Sequence, residues 1–234
     1  VRESAQAAVA TSGGPQAPDQ TGRLQTGCWD QAVRWAKVGI SLSWLAFQIF
    51  ILFAPQPMLV QCPLHLGFAL ALLVLWCPLK TDRLGEAWRR GIDLFLLSGV
   101  LASIIYYQLS AERLAARMEG VDEILTIDLV IGLWLTGVVL ECVRRLTGWS
   151  LLSVILLFLA FGFVGTFFPS WVVGPGWPEM LKFSGFSLEE AIENFTMTPN
   201  GLLGVTTSTS VMFVFYFVAF GAVYAAIGGG QLFT

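Results

Sequence analysis

Five consecutive hydroxyl residues, Thr206, Thr207, Ser208, Thr209 and Ser210, open a long apolar stretch that ends at Ile227. A hydroxyl in hydrocarbon needs a hydrogen-bond partner, so five in a row cannot all face lipid. They can satisfy a broken or unwound helix and line a solute path, or act as small residues that let helices pack closely; both readings stay open. His65 is the single histidine, and it lies in another apolar run. Ionisable groups inside membrane segments can relay protons, but its place near the end of that run points to an interfacial or packed histidine. Glu141 precedes Arg144 and Arg145 by three and four positions, which puts all three on one helical face as an ion pair snorkelling at an interface. Asp93, one turn after Arg89 and Arg90, reads the same way, and Asp128 stands at the end of an apolar run, within reach of polar groups. Cys28, Cys62, Cys77 and Cys142 have no metal-ligand spacing, so neither a disulfide nor a metal is expected. No nucleophile elbow, zinc-binding HExxH, phosphate loop or CxxC occurs, and the glycines 228–230 lack the Lys and Ser/Thr of a phosphate loop; an enzyme is not expected.

The elements that must carry these residues follow from composition. The chain has 234 residues, 56% hydrophobic and 12% charged, against about 25% charged in ordinary soluble domains. Too little charge is present to cover a soluble surface, and nothing suggests a nucleic-acid partner. The apolar runs are continuous rather than alternating, so the class is all-α integral membrane protein. About six segments are long enough to span the bilayer: residues 35–54, 58–79, 92–109, 127–143, 149–168 and 201–227. Trp35 suits an interface. Pro63 is expected in the first turn of the second segment, where its missing N–H costs nothing. Residues 1–34 read as a disordered tail, with Asp30 a candidate cap for a helix starting beside it. Residues 110–126 form an acidic connector, and residues 170–200 a longer one. Within the latter, Ser187 and Glu190 have capping-box spacing, and Leu188, Ala191, Ile192 and Phe195 recur at helical period. That short amphipathic helix lies either on the membrane surface or on the outer face of the protein.

Orientation follows from Lys and Arg. Arg2, Arg23, Arg34, Lys37, Lys80, Arg83, Arg89, Arg90, Arg144 and Arg145 fall on one side, and Arg113, Arg117 and Lys182 on the other. The positive-inside rule places the first set, and the N-terminus, in the cytoplasm. The outer connectors are acidic: Glu112, Glu119, Asp122 and Glu123 in the first, Glu189, Glu190 and Glu193 in the second. Together they make a candidate docking face for a basic partner. The Val start and the ending just past an apolar run suggest a piece of a longer protein.

Tyr106-Tyr107, Glu112-Arg113-Leu114, Arg117-Met118-Glu119-Gly120-Val121-Asp122 and Leu125-Thr126 before Asp128 resemble the fused membrane permease of tripartite ATP-independent periplasmic (TRAP) transporters, in the branch that works with TAXI-type solute-binding proteins. Leu140-Glu141, Arg144-Arg145, Gly148-Trp149, Gly201-Leu202, Gly204, the run from Phe213 to Gly221 and Gly228-Gly229-Gly230-Gln231 extend the resemblance, which covers roughly residue 54 to the end. The Thr206–Ser210 run departs from the Ile-Pro-Leu-Gly-Val usual there. The resemblance implies a small four-helix membrane domain, residues 35–147, and the start of a large permease domain, residues 148–234. It further implies a multi-pass protein of the bacterial inner membrane, part of an ion-gradient-driven uptake system that receives an organic anion from a periplasmic binding protein. The coupling ion, sodium or proton, would bind in the remainder of the large domain. The rival expectation is a non-transporting membrane scaffold or assembly subunit.

Overall fold

The computed structural model describes residues 20–79, 85–118, 120–167 and 185–229. The first part of the expected tail, the basic turn after residue 79, Glu119, the first half of the second connector with Lys182, and the last five residues lie outside them. Every regular element among the described residues is helical: α1 (Gln20–Phe53), α2 (Met58–Trp76), α3 (Glu86–Ala116), α4 (Thr126–Thr147), α5 (Trp149–Phe167), α6 (Leu188–Thr196) and α7 (Val205–Ala226). Five are long and apolar enough to cross a membrane: Gln31–Phe53 of α1, and α2, α3, α4 and α7. In α5 the apolar part among described residues, Trp149–Phe163, is shorter. The chain divides into two units, Val1–Val38 and Gly39–Thr234, and the packing below belongs to the second.

Several boundaries differ from expectation. α1 begins at Gln20, inside the stretch read as a tail, and passes through Asp30. Asp30 is therefore a residue within a helix, not its cap. α2 begins directly after Pro57, so Pro63 lies beyond the first turn. Its missing N–H removes the bond that the Leu59 carbonyl would accept. The neighbouring Val60 carbonyl accepts a side-chain bond from Gln108 Nε2 at 2.9 Å. α3 continues through the start of the expected connector to Ala116, because Ala111 and Leu114 bury against the bundle.

Between helices in lipid there is little hydrophobic driving force, so close packing and polar contacts must hold the bundle. Three glycines provide the close packing. A side chain at Gly67 in α2 would collide with Ile104 of α3, one at Gly99 in α3 with Trp134 of α4, and one at Gly132 in α4 with Ile192 of α6. Around these contacts the buried core runs through Leu70, Val74, Val100, Tyr107, Leu135 and Val138. Outward faces carry Phe53, Leu101, Leu109, Leu157, Phe217 and Phe220, all exposed. A soluble monomer rarely shows so much apolar surface, whereas lipid accommodates it.

The capping box of α6 is formed as expected. Ser187 Oγ accepts from the Glu190 N–H at 3.2 Å, and the Ser187 N–H donates to Glu190 Oε2 at 2.7 Å. α6 lies on the protein itself, with Ala191, Ile192, Glu193 and Thr196 buried and packing against α4. After it, the Leu202 N–H donates to the Phe195 carbonyl at 2.6 Å, and Gly201 lies against the Asn194 and Phe195 backbone, where no side chain would fit. This turn seats Leu203, which is fully buried, at the entrance to α7.

Candidate functional site

The hydroxyl run is helical, not unwound. Residues Val205–Thr209 are α-helical, Ser210–Val214 form a π turn, and Phe215–Ala226 resume the α-helix. Thr207 Oγ1 donates to the Leu202 carbonyl, tying the helix start to the preceding turn. Thr206 and Thr209 are exposed, Thr207 and Ser208 half-buried. Ser210 alone of the five reaches across to another helix: its Oγ lies 3.1 Å from Nε2 of His65 in α2.

His65 is buried, and its ring is held on both sides. Nδ1 is 3.2 Å from Trp44 Nε1 and 2.6 Å from Gln48 Nε2, both in α1. An indole N–H can only donate, so Nδ1 must accept. The neutral ring then carries its proton on Nε2, which donates to Ser210. Phe215 packs edge-on against the imidazole, and Tyr216 Oη donates to the Gln48 carbonyl at 2.8 Å. The π turn is thus bracketed by two polar ties, Ser210 to α2 and Tyr216 to α1. Gln48 is fully buried and its Oε1 has no partner. The sequence marked His65 and the hydroxyl run separately; only the fold joins them.

Charged residues gather at two levels, one at each end of α3 and α4. At one end, Arg145 NH1 donates to Asp93 Oδ1 at 2.7 Å and to the Cys77 carbonyl at 3.1 Å, and its Nε donates to Glu141 Oε1 at 2.9 Å. Arg144 holds Glu141 with two bonds of 2.7 Å. The predicted face of Glu141, Arg144 and Arg145 is present. Asp93, however, pairs with Arg145 rather than with Arg89 or Arg90, because α4 brings a guanidinium closer than its own helix does.

At the other end, Arg113 grips both oxygens of Asp128, at 2.6 and 2.9 Å, and donates to Tyr106 Oη at 2.9 Å, while Tyr106 donates back to Asp128. Asp128 is 1% exposed. Nearby, Arg117 pairs with Glu193 of α6, which also accepts from the Gly120 N–H at 3.1 Å.

This last pair corrects the expected acidic docking face. Glu193 shares the buried face of Ile192 and Thr196 and is consumed by Arg117. Glu112, Asp122, Glu123, Glu189 and Glu190 remain exposed, although Asp122 accepts from the Met118 N–H at 2.8 Å and Glu190 is occupied in the capping box. Glu119 lies outside the described residues.

No protein-family model, curated protein or solved structure matches the chain. What bears on function is the arrangement of these residues. That arrangement sets a membrane-length helix with a π turn against a buried histidine, between two layers of ion pairs.

Proposed function

We propose that this chain is a permease component of a secondary, ion-gradient-driven uptake system of the bacterial inner membrane, receiving an organic anion from a TAXI-type periplasmic binding protein. In this reading α5 joins the five longer helices to make six crossings, with the N-terminus cytoplasmic. Residues 35–147 form the small bracing domain, and residues 148–234 open the large one, whose remainder holds the coupling ion. The observation that carries the reading is α7. Irregular helix within an apolar segment is where transporters place backbone and side-chain groups that meet solutes and ions, and α7 has its π turn where Ser210 meets His65. A second support is the sign of the outer connectors. With Arg113 and Arg117 consumed by internal pairs, the exposed Glu112, Asp122, Glu123, Glu189 and Glu190 leave a net acidic face for a basic partner.

The scaffold reading draws on one observation: His65 has hydrogen-bond partners on both ring nitrogens, as a purely structural tie would. One assay separates the two. The complete permease polypeptide carrying this sequence is placed in proteoliposomes with its periplasmic binding protein, and uptake of a carboxylate is followed under an imposed sodium or proton gradient. Uptake that needs the gradient, and that slows when Ser210→Ala removes the His65 contact, is the expected result. Absence of uptake under either gradient, with the binding protein bound, would leave the scaffold.

A further inference from the structure

An open-sided groove of about 890 Å³ runs between α3 and α4. Phe95, Val130 and Leu133 on its walls are exposed, as a surface facing lipid would be. On α3 its lining extends from Ile92 to Ala102, and on α4 from Val130 to the first charged residue, Glu141. At the rise of an α-helix each stretch is about 15 Å long, one leaflet's share of a ~30 Å hydrocarbon core. One end meets Glu141 and Arg144, and the rest of the lining is apolar. At that end Glu141 takes the Nε and NH2 edge of the Arg144 guanidinium and is shared with Arg145. The adjoining edge of Arg144, NH1 with the second hydrogen of NH2, has no acceptor among the described residues, and the side chain is 25% exposed. The guanidinium carbon lies 5.7 Å from the centre of the Trp149 ring. Trp149 and Trp88 are both exposed at this end of the helices, and exposed tryptophans favour the headgroup zone of a bilayer. Arg89, Arg90, Arg144 and Arg145 stand here against Glu86, Asp93 and Glu141, an excess of one positive charge among the described residues.

We propose that this groove is a binding site for one anionic phospholipid of the leaflet on the Arg144 side. An acyl chain lies between α3 and α4 as far as Val130, and the phosphate accepts from the open edge of Arg144. Three observations select that occupant. The groove is as long as a leaflet is deep, so a chain hanging from the headgroup level fills it. Its polar end lies beside the two tryptophans, at the depth of a phosphate. The excess positive charge favours a headgroup with one net negative charge, such as phosphatidylglycerol, over a zwitterionic one whose choline would stand among arginines. A second copy of the chain, docking by apolar side chains, would leave the open edge of Arg144 unanswered. The inference rests on membrane insertion and not on transport, because binding is measured with no gradient and no binding protein.

Native mass spectrometry of the purified chain tests it, with phosphatidylglycerol and phosphatidylcholine of matched acyl chains added to the detergent. One bound lipid is expected, held about fivefold more tightly as phosphatidylglycerol. Arg144→Gln leaves Glu141 paired with Arg145 and brings the local charge to zero, so it is expected to bring the two lipids to parity. A side chain added at Gly137 meets nothing within 4 Å, so Gly137→Leu fills the groove without a clash, and Ala102→Leu fills it from the facing helix. Each is expected to lose both lipids. Glycerol phosphate and inorganic phosphate, which lack the chain, are expected not to displace the lipid. A melting curve like that of the unmodified chain shows that each variant is folded. Equal retention of the two lipids, a preference that survives Arg144→Gln, undiminished retention in the folded groove variants, or displacement by either free phosphate would each overturn the proposal. A lipid-free dimer that Gly137→Leu dissociates would overturn it too, and give the groove to a second copy.

Discussion

Asp128 and Arg113 make one ion pair, yet the two are not equivalent. Asp128 is sealed, while the Arg113 side chain is 40% exposed. Arg113→Ala strands a buried carboxylate, for which a loss of about 3–5 kcal/mol is expected. Asp128→Ala strands a guanidinium that can turn to water, so about 1–3 kcal/mol is expected. Thermal unfolding in detergent, followed by tryptophan fluorescence, should rank the two in that order. Equal losses would mean that Arg113 cannot swing out. The same method applies to the π turn. Ser210→Ala leaves the His65 Nε2–H without an acceptor and should destabilise, by about 1–3 kcal/mol. His65→Phe already removes that donor, so adding Ser210→Ala to it should change little. Additive losses in the double variant would show that Ser210 acts through something other than His65. Spacing made Glu141, Arg144 and Arg145 legible as one face, because all three share a helix. Asp93 with Arg145, Arg117 with Glu193, and His65 with Ser210 were not legible, since each partner arrives from a different helix. Glu193 shows the cost of that blindness: an acidic residue in a connector reads as solvated until a neighbouring element supplies its counter-ion.

At the scale of elements, apolar length fixed where helices lie better than where they stop. α3 outran its apolar run because Ala111 and Leu114 find neighbours to bury against, and Pro63 was misplaced although the start at Met58 was expected, because the sixth residue of a helix already lies in its second turn. The capping box was legible because it is local. The π turn was not: it changes the hydrogen-bond step without changing composition. The docking of α6 turned on Gly132, whose missing side chain leaves room for Ile192. Gly132→Val should lever α6 away and separate Glu193 from Arg117. Thr196, fully buried on the same face, gives the readout. Thr196→Cys should resist maleimide in the unmodified background and react readily beside Gly132→Val. Equal protection in both would show that α6 is held by its flanking turns rather than by the contact.

For the whole molecule, the proposed orientation puts the end of α3 outside. Ala116 is exposed there. With Cys28 and Cys77 replaced by Ser and Cys62 and Cys142 buried, Ala116→Cys should label with an impermeant reagent in intact cells. Labelling only after permeabilisation would invert the topology.

The ionic ties at the two ends of α3 and α4 also bear on the membrane itself. The helix rises about 30 Å between Asp93 and Arg113, close to the thickness of a bilayer's hydrocarbon, and no charged residue falls between Asp93 and Glu112. Joined at both ends, α3 and α4 cannot change tilt independently. In a thinner bilayer they must lean together as a single plank or force the lipid to stretch around them. Short-chain lipids should therefore strain both clasps at once, making membrane thickness a variable that acts on the Tyr106–Arg113–Asp128 cluster from thirty ångströms away as directly as any mutation within it.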